Sequence, residues 1–203
     1  MTPHKLDGCV TTGDATSWAT ISACGSYRYL LGRAWDPEPE PDDVWPVQRA
    51  VFSVVMLNPS TADHTVDDPT IRKCIHFAKQ EGCGQLLVRN LCAWRATDPR
   101  ELLRVADPVG QMNLTALTLG LSFAVRVAAW GQLGSKKLRR ITQETRVEAL
   151  FRGTVSGALA LTEHGYDRSN HFADHMTRQP RHPLYLPNAA RFKTFREWDA
   201  ASP

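Results

Sequence analysis

The hydrophobic patterning predicts an α/β fold. One domain over residues 1–203 holds a central, mainly parallel four-stranded sheet flanked by helices, plus an N-terminal antiparallel strand or hairpin. Three observations lead there. From residue 47 the patterns alternate strand, helix, strand, helix, strand, helix, strand, the order of a sheet whose crossovers are helical. The strand candidates are continuous apolar runs bounded by turn residues, as in strands buried on both faces. A chain of 203 residues with 42% hydrophobic side chains is long enough to bury one core.

Residues 1–18 are polar, with scattered Gly and Thr, and read as a poorly specified start. Residues 20–35, TISACGSYRYLLGRAW, alternate partially and are rich in aromatics, which predicts one strand or two. Asp36–Pro46 is a loop, because its prolines cannot serve a strand interior. VQRAVFSVVML follows as the first core strand, and the two segments are expected to pair as a hairpin across the acidic loop. In IRKCIHFAKQEG, Ile71, Cys74, Ile75 and Ala78 recur at helical spacing and Gly82 is a stop. QLLVRNL is a second core strand, residues 107–121 carry a helical pattern, and FAVRVAAWG is a third strand. SKKLRRITQETRVEALFRG is a helix with Ser135 as its N-cap candidate, and VSGALALT is a fourth strand. Residues 163–182 form a polar, His-rich segment, and the last twenty residues read as a short basic tail.

Several classes are excluded. No stretch approaches the ~20 apolar residues of a membrane helix. MTPHKLDGCVTTGD lacks an apolar signal-peptide core, so a cytoplasmic location is expected. The five cysteines are odd in number and contain no CxxC, which argues against a disulfide framework, a zinc ribbon or an iron–sulfur cluster. There is no Walker loop and no GxGxxG, so neither kind of nucleotide cofactor site is expected. His171 and His175 sit one helical turn apart, but the segment has no recognised metal spacing. No cofactor and no metal are expected. The net charge of +3 identifies no partner; the basic residues concentrated from Lys136 onward suit a polyanion or form a solvated surface.

In parallel sheets, ligands bind beyond the carboxyl ends of the strands. The segments after those ends are Asn58–Thr70, Asn90–Pro99, Trp130–Lys137 and Thr162–Leu186, which are polar and oddly composed. Met56-Leu57-Asn58-Pro59-Ser60, Trp130-Gly131 followed by Ser135-Lys136-Lys137, and Arg181-His182-Pro183-Leu184 together resemble motifs of the uracil-DNA glycosylase superfamily. Asn90 falls where that superfamily has a base-reading Asn. More closely, the YRYxL, MLNPSTAD, DDPTIR, RATDP and HPLYL stretches over about residues 26–187 resemble a bacterial and phage family of unknown function. Against it, residues between Gly165 and Pro180 look inserted, and Met56 stands where the superfamily often has Gly.

The resemblance implies a single-domain uracil-DNA glycosylase-like fold and a monofunctional DNA glycosylase. Such an enzyme hydrolyses the N-glycosidic bond of a flipped base and leaves an abasic site. The inserted segment and the phage association point to a modified base, such as hypermodified phage cytosine, and hence to antiviral defence. The nucleotide must leave the stack because a duplex hides the reacting atoms. The catalytic candidates are Asn58, orienting a water through its amide, and His182, donating to the departing base; a base can come from Asp63, Asp67 or Asp68, or the reaction can run without one. Base-binding falls to Asn90, with a donor and an acceptor, to Trp94 as a stacking face, and to Leu57 and Pro59 of the first motif. Arg72, Arg95, Ser135, Lys136, Lys137 and Arg181 are the expected DNA contacts. The expected partner of this monomeric chain is DNA, with no membrane.

Structural alternatives stand beside these roles. Asn58-Pro59 can be a turn, Asp68 an N-cap with Pro69 the first helical residue, and Trp94 a packed loop residue. Two other functions compete: a non-catalytic module that binds modified bases or DNA, and an enzyme on free modified nucleotides.

Overall fold

The computed structural model describes residues 6–35, 51–119, 125–131, 136–144, 158–161, 181–190 and 192–194. Strands β1 (Cys9–Gly13), β2 (Ser17–Ser22) and β3 (Arg28–Ala34) come first, followed by β4 (Val51–Met56). Helix α1 (Pro69–Gln80), strand β5 (Gln85–Asn90), helix α2 (Asn113–Thr118), strand β6 (Val125–Ala128) and helix α3 (Lys136–Glu144) follow. The short strands β7 (Ala158–Leu161) and β8 (Phe192–Thr194) close the series. Single 3-10 turns lie at Pro99–Leu103 and Pro183–Tyr185.

Among the described residues, eight strands form one sheet in the order β1-β2-β3-β5-β4-β6-β7-β8. Its β4–β5, β4–β6 and β6–β7 pairings are parallel, and the β1–β2, β2–β3, β3–β5 and β7–β8 pairings are antiparallel. This corrects the expected fold class: the sheet is mixed and eight-stranded, not four-stranded and mainly parallel. The extra strands come from segments without a strand signature. The start expected to be poorly specified contains β1, and the presumed basic tail contains β8. The expected hairpin between residues 20–35 and the first core strand is also absent. Instead β2 and β3 pair with each other, β3 pairs next with β5, and β4 lies between β5 and β6. The helical pattern of residues 107–121 gives only α2, which starts beyond the turn at Gly110. The Asp36–Pro46 loop, most of the 163–182 segment and the end of the chain after Thr194 lie outside the described residues.

Strand periodicity explains how the sheet is covered. On one face, Leu31, Phe52, Val54, Met56, Leu86 and Val88 pack with Ile71, Cys74, Phe77 and Ala78 of α1. On the other, Leu30 and Leu87 meet Ala116 of α2, while Val55 and Ala128 meet Leu138 and Ile141 of α3. Helix α1 starts where expected: Asp68 Oδ1 accepts from Ile71 N at 2.8 Å and Pro69 occupies the first turn.

Gly32 in β3 faces Trp18 across the pairing with β2, and a Cβ there would sit 2.1 Å from the indole Cε2. Trp18 is buried and cannot retreat. Gly32→Ala is expected to cost ~2–3 kcal/mol, as overpacking a tight core does, visible as a lower urea midpoint with an unchanged slope. A midpoint equal to the parent's would show that the indole has room.

Candidate functional site

The carboxyl ends of β4, β5 and β6 share one edge of the sheet, and β3 begins at that same edge because it runs antiparallel to β5. Four stretches therefore meet there: the β2–β3 turn, residues 57–68, residues 91–97, and Trp130-Gly131. Backbone hydrogen bonds join the two long stretches, from Leu91 N to Met56 O, Cys92 N to Leu57 O and Ala96 N to Pro59 O, each 2.9 Å. Leu57 and Pro59 are thereby structural parts of the seam, with Pro59 buried and Leu57 against the α3-side core.

Asn58 locks the seam. Its Nδ2 donates to Ala96 O at 2.7 Å and to Pro59 O at 3.1 Å. Both partners are carbonyl oxygens, which only accept, so the pinned atom must be the nitrogen. Oδ1 then has no partner among the described residues and is available to a water.

Two arginines of β3 hold residues 62–67 along the strand, Arg28 where it begins at the edge and Arg33 near its other end, beside the start of β5. Arg28 is 2% exposed and donates from Nη1 to Ala62 O at 2.6 Å, while its Nε has no partner among the described residues. Burial pushes its guanidinium down to about 10, with the Asp68 carboxylate pulling the other way. Arg33 pairs with Asp67 at 2.8 Å and also donates to Asp63 O. Asp63 itself builds a turn, with Oδ1 accepting from Thr65 N, Thr65 Oγ1 and Val66 N. Those bonds hold its carboxyl below the usual range, which makes it a weak proton acceptor.

Asn90 ends β5 on the α1 side of the sheet, opposite Met56 in the register. It is 1% exposed, and neither Nδ2 nor Oδ1 has a hydrogen-bond partner among the described residues. Its backbone is fixed from elsewhere: Asn113 Nδ2, at the start of α2, donates to the carbonyls of Asn90 and Leu91 at 3.0 and 2.9 Å.

His182 lies against the end of β6, where Gly131 has φ +75° and a Cβ would come within 3.3 Å of His182 Cβ. Its Nδ1 accepts from Leu184 N at 3.4 Å, so the proton of a neutral ring belongs on Nε2. Burial pushes its pKa below the ordinary 6.5, and Asp68 partly opposes this. Asp68, though committed to capping α1, is thus the carboxylate electrostatically linked to His182. Below pH 6.5 the unfolded chain takes up a proton that the folded ring resists, so stability falls as the pH drops. His182→Gln is expected to lose less stability than the parent between pH 7.5 and 5.5, measured by urea midpoints. Equal losses in both proteins would show an unperturbed ring.

An open hollow of about 250 Å³ adjoins this edge, lined by Gly25, Ser26, Ser60, Thr61, Trp94, Arg95, Ala96 and Thr97. Trp94 packs edge-on to Tyr27 with ring centroids 5.3 Å apart, and its Nε1 is buried without a partner among the described residues. Arg95 reaches Gly25 O at 3.3 Å. The other expected DNA contacts are scattered. Arg72 is exposed and donates to Asp67 O, and Arg181 is half-buried. Lys137 donates to Leu103 O and Val105 O at 3.2 and 3.1 Å, and Lys136 opens α3. Ser135 lies outside the described residues.

Sequence reasoning missed Arg28, Arg33 and Asn113. The first two carried a signal, being charged residues inside the apolar strand RYLLGRA. Asn113 carried none, because its role depends on a strand end 23 residues earlier. Among the described residues no group of His, Cys, Asp and Glu side chains is arranged to hold a metal ion, and no helix is long and apolar enough to cross a membrane. Comparison with curated proteins and with solved structures finds no match. A family model does match residues 28–184, and the chain belongs to that family, described as a protein of unknown function (DUF1643).

Proposed function

We propose that this chain hydrolyses the N-glycosidic bond of a modified base in DNA, leaving an abasic site. The observation that carries this reading is Asn90, a buried amide with an unused donor and an unused acceptor at the strand edge. A buried unpaired amide costs stability unless a ligand satisfies it, and a base edge offers the complementary pair. Asn58 Oδ1 orients the attacking water, and Nε2–H of a neutral His182 donates to the base as its negative charge develops. Asp68 acts on His182 through charge and does not touch the base. The strand-end motifs' resemblance to the uracil-DNA glycosylase superfamily supports the same chemistry.

The test is incubation with two phage genomic DNAs, one heavily base-modified and one plain, followed by alkali. Breaks confined to the modified DNA are expected, and they should vanish with Asn58→Ala. No breaks in either DNA would overturn the hydrolytic reading. One observation favours a non-catalytic binder instead: Asn58 cannot take a proton, and Asp63 is spent on its turn. In that case DNA binding survives Asn58→Ala without any abasic sites.

A further inference from the structure

We infer that the hollow beside Trp94 and Arg95 is a phosphate-binding subsite, which seats a backbone phosphate next to the base held at Asn90. The inference rests on the proposed function for its placement, but the subsite's chemistry stands on its own residues. No carboxylate lines this hollow. What lines it is rich in donors. The Arg95 guanidinium has one long bond to a carbonyl and no acidic partner among the described residues. Ser60 and Thr61 contribute hydroxyls to its wall, and the Trp94 Nε1–H is buried without an acceptor among the described residues. Arg28, nearly fully buried and outside the lining itself, adds a second positive charge that Arg95 feels. Donors and a cation without a carboxylate fit an oxyanion, and a guanidinium fits a phosphate through its forked geometry. The hollow's volume of about 250 Å³ is small for a whole nucleotide and suits one phosphate with part of its sugar.

The lining groups also have a sequence logic. Ser60 and Thr61 directly follow Asn58-Pro59, so the seam that pins Asn58 also anchors the backbone that carries their hydroxyls. Arg95 N donates to Ser26 O at 2.9 Å, which fixes the guanidinium's base against the β2–β3 turn. The subsite is therefore preorganised by backbone bonds.

The test uses the full chain and a fluorescent modified-DNA oligonucleotide in anisotropy titrations. A second oligonucleotide carries one neutral methylphosphonate at the phosphate beside the modified base. Neutralisation is expected to weaken binding to the parent about tenfold, the scale of one charge-assisted hydrogen bond. With Arg95→Gln it should weaken binding little further, and Arg95→Lys should recover part of the loss. Equal weakening in parent and Arg95→Gln would overturn the subsite. Calorimetry with inorganic phosphate separates the two proposals. Phosphate binding that Arg95→Gln abolishes sustains the subsite even if no abasic sites ever form. Phosphate binding unaffected by Arg95→Gln overturns it even if the chain proves a glycosylase.

Discussion

Asn90→Leu is expected to make the protein more stable and functionally dead. The amide is buried with neither polar atom bonded among the described residues, and a buried unpaired polar group costs ~1–3 kcal/mol. Leucine has nearly the same shape and no polar atom. The replacement should therefore add ~1–2 kcal/mol, seen as a rise in Tm of roughly 3–6 °C for a chain of this size. Base excision should fall about a thousandfold, because a site built to hydrogen-bond its substrate discriminates through those bonds. Opposite movements of stability and activity are what a binding group held unsatisfied would show. A drop in Tm would mean that the amide is engaged within the folded chain, and the base-reading role would go with it.

Much of the interior was legible because its signals are local. Asp68-Pro69 ahead of Ile71, Cys74 and Ala78 marks both the start and the buried face of α1, and the structure has the cap, the proline and the face in those places. VFSVVM and QLLVRN read as strands because each is buried on both faces. The edge strands were illegible for the complementary reason. CVTTG in β1 is partly exposed throughout and has no apolar run to announce it, and FKT in β8 is three residues long. Strand order was lost for a different reason. Whether β3 pairs with β4 or with β5 is decided by side chains far apart in sequence, such as Leu31 beside Val88, and no window contains that choice.

The site divides in the same way. Strand-end logic led to the segments that hold Asn58, Asn90, Trp94 and His182, and the resemblance to the glycosylase superfamily picked out Asn58, Asn90 and His182 within them. What each side chain does there depends on distant carbonyls. Asp63 looked like a candidate base, yet its oxygen is consumed two and three residues away. Lys137 looked free for DNA, yet it closes onto the carbonyls of Leu103 and Val105. Such commitments are set by tertiary packing, and residue type alone does not reveal them.

Asn58→Asp tests the seam directly, because it removes the pinned nitrogen and little else. The pinned nitrogen faces the carbonyl oxygens of Ala96 and Pro59. A carboxylate there would lose two hydrogen bonds and set an anion against two acceptors. The expected cost at pH 7.5 is ~2–3 kcal/mol, or a fall in Tm of roughly 5–10 °C. Its pH dependence identifies the cause. The new carboxyl can satisfy one carbonyl only when protonated, so its pKa in the folded chain lies above the ordinary Asp value of about 3.9. A raised pKa favours the folded state at low pH and disfavours it as the pH climbs through that value. The gap between Asn58→Asp and the parent should therefore narrow at pH 4.5 and widen at pH 7.5, read as urea midpoints. A gap independent of pH would show that the lost bonds, not the charge, account for the effect. No gap at all would show that the amide does not pin the two loops, and the outward Oδ1 that orients the water would lose its support.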